Sequence, residues 1–193
     1  MSVIERMLGR DPDDAADSNG LVLAPMRKRD LKDGVLDTEE HAYPTPWSTR
    51  VFQSEIEQAR TGSRYYLTAR RRSGGGRGRV SGPSIGHAGL WFTGDEAHVT
   101  NVAVHPDARR TGVARTLMVA LADEAIRREC VAWTLEVRVS STGAHELYHR
   151  FGFVPAGVRK RYYDNVEDAI VMWCHDILDD DYARRLDALR ENR

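Results

Sequence analysis

Cysteine, net charge and long apolar segments are all scarce in this chain. Only two of the 193 residues are cysteine, and Cys130 and Cys174 have no close-spaced partners, which argues against a disulfide framework and suggests a reducing compartment. Lys and Arg number 28 against 29 Asp and Glu, so no global charge recruits nucleic acid or a membrane surface. No apolar run approaches the roughly 20 residues of a membrane helix. These absences predict a cytoplasmic protein with no membrane partner.

The length and the distribution of polar residues predict one α/β domain with two polar ends. Residues 1–20 lack the apolar core of a signal peptide and are expected to form a flexible tail. The domain is predicted over residues 21–176, followed by a surface helix over 177–193 that packs weakly on it. Residues 70–84 form a basic loop rich in Gly and Arg. Such loops can touch RNA phosphate, but a solvated hairpin insertion is favoured, and no specific nucleic-acid partner is assigned.

Hydrophobic periodicity gives the order of the elements within the domain. Seven strands are predicted near residues 21–26, 65–69, 85–93, 97–104, 132–139, 153–161 and 168–175, with helices over 30–41, 48–60, 111–130 and 143–150. This order indicates a mixed sheet covered by helices.

A strand, a short basic turn and the start of a long helix follow one another over residues 101–115. The first N–H groups of a helix have no partner inside it, and the helix dipole adds positive potential there. Gly112 and Ala114 keep side chains out of the way, and Arg109 and Arg110 add charge. The junction therefore predicts an anion site for a phosphate. An ordinary loop before a helix is the alternative.

The Arg-x-x-Gly-x-Ala pattern in this context resembles the pyrophosphate signature of the GCN5-related N-acetyltransferases (GNAT). The resemblance implies the GNAT fold, a mostly antiparallel sheet of about seven strands with helices on both faces, and acetyl-CoA as the phosphate-bearing substrate. It also implies that one backbone segment pairs with the pantetheine arm and supplies the N–H donor for the oxyanion, and that a second cradles the pyrophosphate. The first segment is Val102, Ala103 and Val104; the second is Arg109, Arg110, Thr111, Gly112, Val113, Ala114 and Arg115.

Alternation along residues 132–139 places Glu136 on the face opposite Leu135 and Val137. Burying a carboxylate in an otherwise apolar strand is costly unless it is paired or functional. Spacing alone favours a structural pair between Glu136 and Arg138. Spacing likewise favours a packing role for Tyr148 on the helix that follows.

Several further segments resemble the RimI branch of the same superfamily, whose members acetylate the N-terminal alanine of a small-subunit ribosomal protein. They are Pro46-Trp47-Ser48, Gly86 to Trp91, Leu135 to Arg138, Leu147-Tyr148, Phe151-Gly152-Phe153, Gly157 to Tyr163 and Glu167 to Ala169. The resemblance covers about residues 21–172. It implies that Glu136 is the general base, acting through water, and that Tyr148 is the acid that protonates the departing thiolate. Ser141 stands where the family carries a cofactor-contacting Asn, which puts that contact in doubt.

This resemblance implies direct transfer of acetyl to the α-amine of a protein partner, a ribosomal protein. Trp47, Tyr162 and Tyr163 are candidates for lining the peptide groove, with partial burial in the core as the equal alternative. Acetylation of a lysine or a small-molecule amine is the runner-up function. A non-catalytic module that binds acyl-CoA or a partner protein is a further possibility.

A competing motif is His145-Glu146-Leu147-Tyr148-His149, which matches the H-E-x-x-H pattern of zinc proteases. Catalytic zinc needs three protein ligands and an open position. Pro155 stands where a third histidine would follow, and Asp168, the distant candidate, lies in a predicted strand. We therefore interpret the motif as a coincidence with two solvent-side histidines, rank a zinc hydrolase last, and assign no metal.

Overall fold

A computed structural model describes residues 20–72 and 82–191. The strands are β1 (Leu21–Pro25), β2 (Arg64–Arg71), β3 (Gly86–Thr93), β4 (Glu96–Val104), β5 (Ala132–Arg138), β6 (Val154–Tyr163) and β7 (Glu167–His175). The helices are α1 (Lys28–Asp30), α2 (Leu36–Ala42), α3 (Thr49–Ala59), α4 (Val113–Arg127), α5 (Thr142–Arg150) and α6 (Asp180–Glu191), with a π-helical turn at Leu31–Val35 and a 3₁₀ turn at Pro106–Ala108. The predicted tail and most of the basic loop lie outside the described residues.

The seven strands form one sheet in the order β1-β2-β3-β4-β5-β7-β6. All neighbours are antiparallel except β4 and β5, which are parallel. On β2, Leu67 joins a large core with α4, whereas its neighbour Tyr66 joins a second core with Phe52 of α3. Because adjacent strand residues point to opposite faces, helices cover both faces of the sheet. The predicted fold class is confirmed.

The N-terminal helical region is interrupted, which corrects the single helix predicted over residues 30–41. Asp33 and Gly34 have non-helical dihedral angles, with a φ of 102° at Gly34. A Cβ at Gly34 would lie 2.4 Å from the Ser84 carbonyl oxygen. The kink at Gly34 brings α2 against the sheet, and the Thr38 hydroxyl also donates to Ser84 O, at 3.2 Å. Close backbone approach therefore ends the first helix.

The C-terminal helix α6 packs deeply, so the expectation of weak packing is wrong. Tyr182, Ala183, Leu186 and Leu189 are buried in the main core, which also holds α4. The four apolar positions repeat at helical spacing. Among the charged residues of α6, Arg190 pairs with Asp123 of α4, and Arg185 donates to the Arg150 carbonyl. This helix completes the core of the domain.

The basic loop begins later than predicted, because Arg70 lies within β2. Its guanidinium is 12% exposed and contacts Asp30 at 3.0 Å and Asp33 at 2.7 Å. Arg70 thus ties the end of β2 to the first helical turn. None of the helices in the described ranges is long and apolar enough to cross a membrane.

Candidate active site

The parallel strands β4 and β5 pair over only part of their length. Their last paired residues are Val99 and Leu135. Immediately after Val99, the register between β3 and β4 shifts, leaving Thr100 as an extra residue in β4. Such a bulge bends a strand and ends its regular pairing. The pairing of β4 with β5 stops at this point, so residues 102–104 of β4 are not paired with β5.

The predicted pantetheine segment lies on this part of β4. Val102 and Val104 are partly exposed, whereas Ala103 is 1% exposed and belongs to the core. A residue that the sequence analysis missed, Tyr43, reaches this segment: its hydroxyl donates to the Val102 carbonyl at 2.6 Å and lies 3.3 Å from the Asn101 amide oxygen. Tyr43 follows α2, so the N-terminal region reaches the cleft directly.

The predicted phosphate site forms the start of α4. Gly112 is the N-cap residue with a φ of 87°, a left-handed conformation that glycine adopts readily. The first hydrogen bond into the helix runs from the Thr116 N–H to the Gly112 carbonyl at 2.9 Å. The helix N–H groups at Val113, Ala114 and Arg115 precede this bond, so they have no acceptor within the helix. The helix start thus has the geometry of an anion site.

Three side chains around this helix start are basic and exposed: Arg71, Arg109 and Arg110. Arg71 was not predicted to belong to the site. It reaches over from the end of β2, and its guanidinium donates to the Thr111 hydroxyl at 3.2 Å. Val113, by contrast, is 1% exposed and packs in the core, so only its backbone faces the anion site.

Glu136 lies one residue beyond the last β4–β5 pair, and its carboxylate is 6% exposed. It is bound by His98 Nε2 at 2.8 Å and by Arg159 Nη2 at 3.1 Å. Burial favours a higher pKa for Glu136, but the hydrogen bond from His98 and the charge of Arg159 outweigh it, and the pKa is lowered. Glu136 is therefore ionised at neutral pH.

The structural pair expected between Glu136 and Arg138 does not form. Arg138 instead contacts Glu167 at 2.9 Å and Asp164 at 3.3 Å. The alternation predicted along β5 holds, since Leu135 and Val137 are buried in the core. The predicted pair was wrong because residues outside β5 bind both Glu136 and Arg138. The spacing within one strand does not reveal such partners.

Tyr148 is buried at the inner face of α5, with its ring 5.8 Å from that of Phe153. Burial raises its pKa to about 12. Burial also raises the pKa values of Tyr43 and Tyr163, and the hydroxyl of Tyr148 adds to both shifts. The Tyr163 hydroxyl donates to the Glu136 carbonyl at 3.0 Å. Three protonated tyrosines therefore gather at the opening between β4 and β5.

Of the remaining predicted substrate and cofactor residues, only Tyr162 contacts one of these tyrosines. Tyr162 is 47% exposed, and its ring meets that of Tyr163 edge to face at 5.1 Å. Trp47 is partly buried against Phe52, with ring centroids 5.5 Å apart. Ser141 caps the start of α5 through its backbone carbonyl, which accepts from the N–H groups of residues 144 and 145.

A buried polar network lies beside Tyr43, and the sequence analysis did not find it. The Glu39 carboxylate is 1% exposed. It accepts from Asn101 Nδ2 at 3.2 Å, from the Trp47 N–H at 3.0 Å and from His87 Nε2 at 2.9 Å. Glu39 thereby joins α2, the Trp47 segment and two strands, and it fixes the wall of the opening.

The H-E-x-x-H residues do not assemble into a metal site. The rings of His145 and His149 bind different backbone carbonyls, Arg138 O at 2.9 Å and Phe153 O at 3.0 Å. Asp168 is held by Lys160 at 2.8 Å. Within residues 20–72 and 82–191, no group of three potential ligands includes either histidine.

An opening in a parallel strand pair, a helix start with free N–H groups and a buried carboxylate are features compatible with an enzyme that transfers an acyl group from a phosphate-bearing donor. Comparison with known proteins agrees. The Acetyltransferase (GNAT) family matches residues 32–153. The chain belongs to this family of N-acetyltransferases.

Individual relatives carry more specific names. The chain is 36% identical over 137 residues to the [ribosomal protein bS18]-alanine N-acetyltransferase of Escherichia coli (strain K12), covering 69% of this chain and 84% of that protein. It is 33% identical over 149 residues to a candidate enzyme of the same name from Bacillus subtilis (strain 168), covering 77% and 91%. The crystal structure of the ribosomal-protein-S18-alanine N-acetyltransferase from Escherichia coli superposes with a TM-score of 0.67 at 29% identity, covering 81% of this chain and 94% of that one.

Proposed function

We propose that this protein transfers acetyl from acetyl-CoA to the N-terminal α-amine of a protein, and that its substrate is a small-subunit ribosomal protein beginning with alanine. The observation that carries the proposal is the end of the β4–β5 pairing at Val99 and Leu135, with the buried Glu136 one residue beyond it. The names of the relatives support the choice of substrate.

The cofactor is proposed to lie along β4 with its phosphates at the start of α4. Residues 102–104 lose their β5 neighbour, so one backbone edge can pair with the pantetheine arm, and a freed N–H there can stabilise the oxyanion. The N–H groups of residues 113–115 and the guanidinium groups of Arg109, Arg110 and Arg71 would bind the pyrophosphate. The Ser141 hydroxyl would contact the cofactor from the start of α5.

Proton removal from the amine is assigned to Glu136 acting with His98. The carboxylate is ionised but weakly basic, because the hydrogen bond from His98 and the charge of Arg159 lower its pKa. His98 Nε2 lies 2.8 Å from the carboxylate, so Glu136 orients the imidazole. A proton that leaves the amine through water is then shared by the pair. This arrangement modifies the single-carboxylate mechanism inferred from the family resemblance.

Protonation of the departing thiolate is assigned to Tyr148. A hydroxyl with a pKa of about 12 keeps its proton throughout the physiological range, so it can donate a hydrogen bond to the sulfur as negative charge develops. The thioester is already activated, and catalysis then consists of positioning, deprotonation and oxyanion stabilisation in a direct transfer.

The acceptor is proposed to be an α-amine because of its acidity. An α-amine with a pKa near 7.7–8 is roughly one-tenth neutral at pH 7, whereas lysine, at about 10.4, is neutral at only about four parts in ten thousand. A weak base such as Glu136 suffices to deprotonate an α-amine but is poorly matched to a lysine. Trp47, Tyr162 and Tyr163 are proposed to restrict the first side chain of the peptide.

The proposal is tested by incubating the protein and acetyl-CoA with two lysine-free peptides that differ only in their first residue, Ala or Phe. Intact mass is expected to show a gain of one acetyl group on the Ala peptide and much slower gain on the Phe peptide. Equal rates for the two peptides would contradict the proposal that a groove selects the first residue. Acetylation of neither peptide, with acetyl-CoA bound, would favour a small-molecule amine or a binding module.

A further inference from the structure

We propose that Asp37, His41 and His105 form a binding site for one divalent transition-metal ion of the zinc type. One potential ligand atom from each residue lies within 4.8 Å of the other two. Asp37 and His41 are four residues apart on α2, which places them on one face of the helix. His105 follows β4 and begins the turn that leads to α4. The site therefore joins two separate segments of the chain.

The distances suit a metal of this size. His105 Nε2 lies 3.4 Å from Asp37 Oδ2, and two ligand atoms of a tetrahedral centre with bonds of about 2.1 Å are separated by roughly 3.4 Å. The rings of His41 and His105 are 5.2 Å apart between centroids. A cation can thus enter between them with side-chain adjustment alone.

The chemistry of the three groups selects the class of ion. Two imidazoles and one carboxylate favour zinc, cobalt or nickel over magnesium and calcium, which prefer oxygen ligands. The side chains of Asp37, His41 and His105 are 63%, 54% and 22% exposed. The site therefore leaves at least one position open to water and can be filled directly from solution.

Neighbouring groups already orient both imidazoles. His41 Nδ1 donates to the Asp37 backbone carbonyl at 2.9 Å, which holds the ring beside the carboxylate. The Asp107 carboxylate lies 3.7 Å from His105 Nδ1. His105 Nδ1 also accepts from the Asp107 N–H at 3.3 Å. Binding of the metal at Nε2 therefore moves the ring proton to Nδ1 and exchanges this bond for one to the Asp107 carboxylate, the kind of outer partner that metal-bound histidines commonly have.

The site is distinct from the residues proposed for catalysis, and it needs neither acetyl-CoA nor the peptide. It joins α2, which carries Glu39, to the turn that precedes Gly112. Occupation is expected to stabilise this junction, because a ligand that binds only the folded state raises the free energy of unfolding by mass action.

The test is calorimetric titration of Zn²⁺ into the full-length, tag-free protein after removal of metals by a chelator. We expect one ion per chain. His41→Ala and His105→Ala should each weaken binding by more than about 100-fold, and Asp107→Asn by about 10–100-fold, as is typical for an outer partner. His149→Ala, an exposed histidine of the H-E-x-x-H motif, is the matched control and should bind normally.

Thermal unfolding without metal checks that the variants fold, and Co²⁺ absorption reports the ligand geometry. The proposal is overturned by absence of binding, by unchanged affinity in both His41→Ala and His105→Ala, or by loss of binding in His149→Ala. Because metal binding is measured without acetyl-CoA or peptide, failure here leaves the acetyltransferase assignment untouched.

Discussion

At the scale of single residues, the chemistry depends on partners from other strands. Glu136 was found from the alternation of β5, but the two groups that set its charge, His98 and Arg159, come from β4 and β6. A carboxylate whose pKa is lowered by a hydrogen bond and a nearby guanidinium is a weak base and a good orienting group. The partners therefore decide what Glu136 contributes to the reaction.

Glu136→Gln removes the charge that orients His98, and His98→Asn removes the imidazole. Each is expected to lower turnover by about 10²–10⁴-fold with little change in acetyl-CoA affinity, since general acid–base groups contribute about that much. Steady-state kinetics and calorimetry on the same samples check this. Glu146→Gln, an exposed carboxylate on α5, is the matched control. A Glu136→Gln variant that folds and turns over normally would restore a purely structural role.

Tyr148→Phe is expected to lower turnover by a factor that does not change with pH. Burial raises the pKa of Tyr148 to about 12, so the hydroxyl is protonated at both pH 7 and pH 9.5 and contributes equally at each. Rates of wild type and variant at the two pH values provide the check. A penalty that disappears at pH 9.5 would mean that the hydroxyl loses its proton there and does not act as proposed.

At the scale of elements, the site is made by strand ends and one helix start. β4 bulges against β3 at Thr100, next to the last residue that pairs with β5, and the left-handed Gly112 begins α4. Both features are backbone geometry. They place the proposed cofactor sites on one side of the sheet.

Gly112→Glu is expected to abolish acetyl-CoA binding while leaving the fold largely intact, because it places a carboxylate at the proposed phosphate site. Gly62→Glu is the matched control: φ is +86° at Gly62 and +87° at Gly112, so both substitutions carry similar backbone strain. Calorimetry with acetyl-CoA compares the two variants. If the folded Gly112→Glu protein bound acetyl-CoA with wild-type affinity, the phosphates would not bind at this helix start.

Sequence patterns predicted the strands and helices well because each depends on local periodicity. They missed the break at Gly34, which depends on close approach by Ser84, and the deep packing of α6. They also missed Tyr43 and the Glu39 network, since those contacts join segments far apart in the chain. Periodicity assigns a residue to a face, whereas register and tertiary packing choose its neighbours.

At the scale of the whole molecule, the domain is a single sheet with helices on both faces, and α6 is part of its main core. This helix lies beyond residues 32–153, the part that matches the family. Its burial against α4 means that the C-terminal residues support the element whose start is proposed to bind the phosphates.

Leu186→Ala is expected to destabilise the protein by about 2–5 kcal/mol, the usual cost of truncating a buried leucine. Leu186 is 1% exposed and packs in the main core. Arg184→Ala, an exposed position on the same helix, should change the free energy of unfolding by less than about 0.5 kcal/mol. Chemical denaturation compares them. If both substitutions changed the free energy of unfolding by the same small amount, α6 would be weakly packed, as the sequence analysis expected.

The central claim, acetyl transfer to a protein α-amine, is tested most directly by letting two amines compete in one reaction. One peptide carries a free N-terminal Ala and no Lys; the other is blocked at its N-terminus and carries one Lys. Both are incubated with the protein and acetyl-CoA near pH 7, and acetylation of each is followed by mass spectrometry. We expect rapid acetylation of the Ala peptide and little acetylation of the blocked peptide. Preferential acetylation of the blocked lysine peptide would contradict the claim.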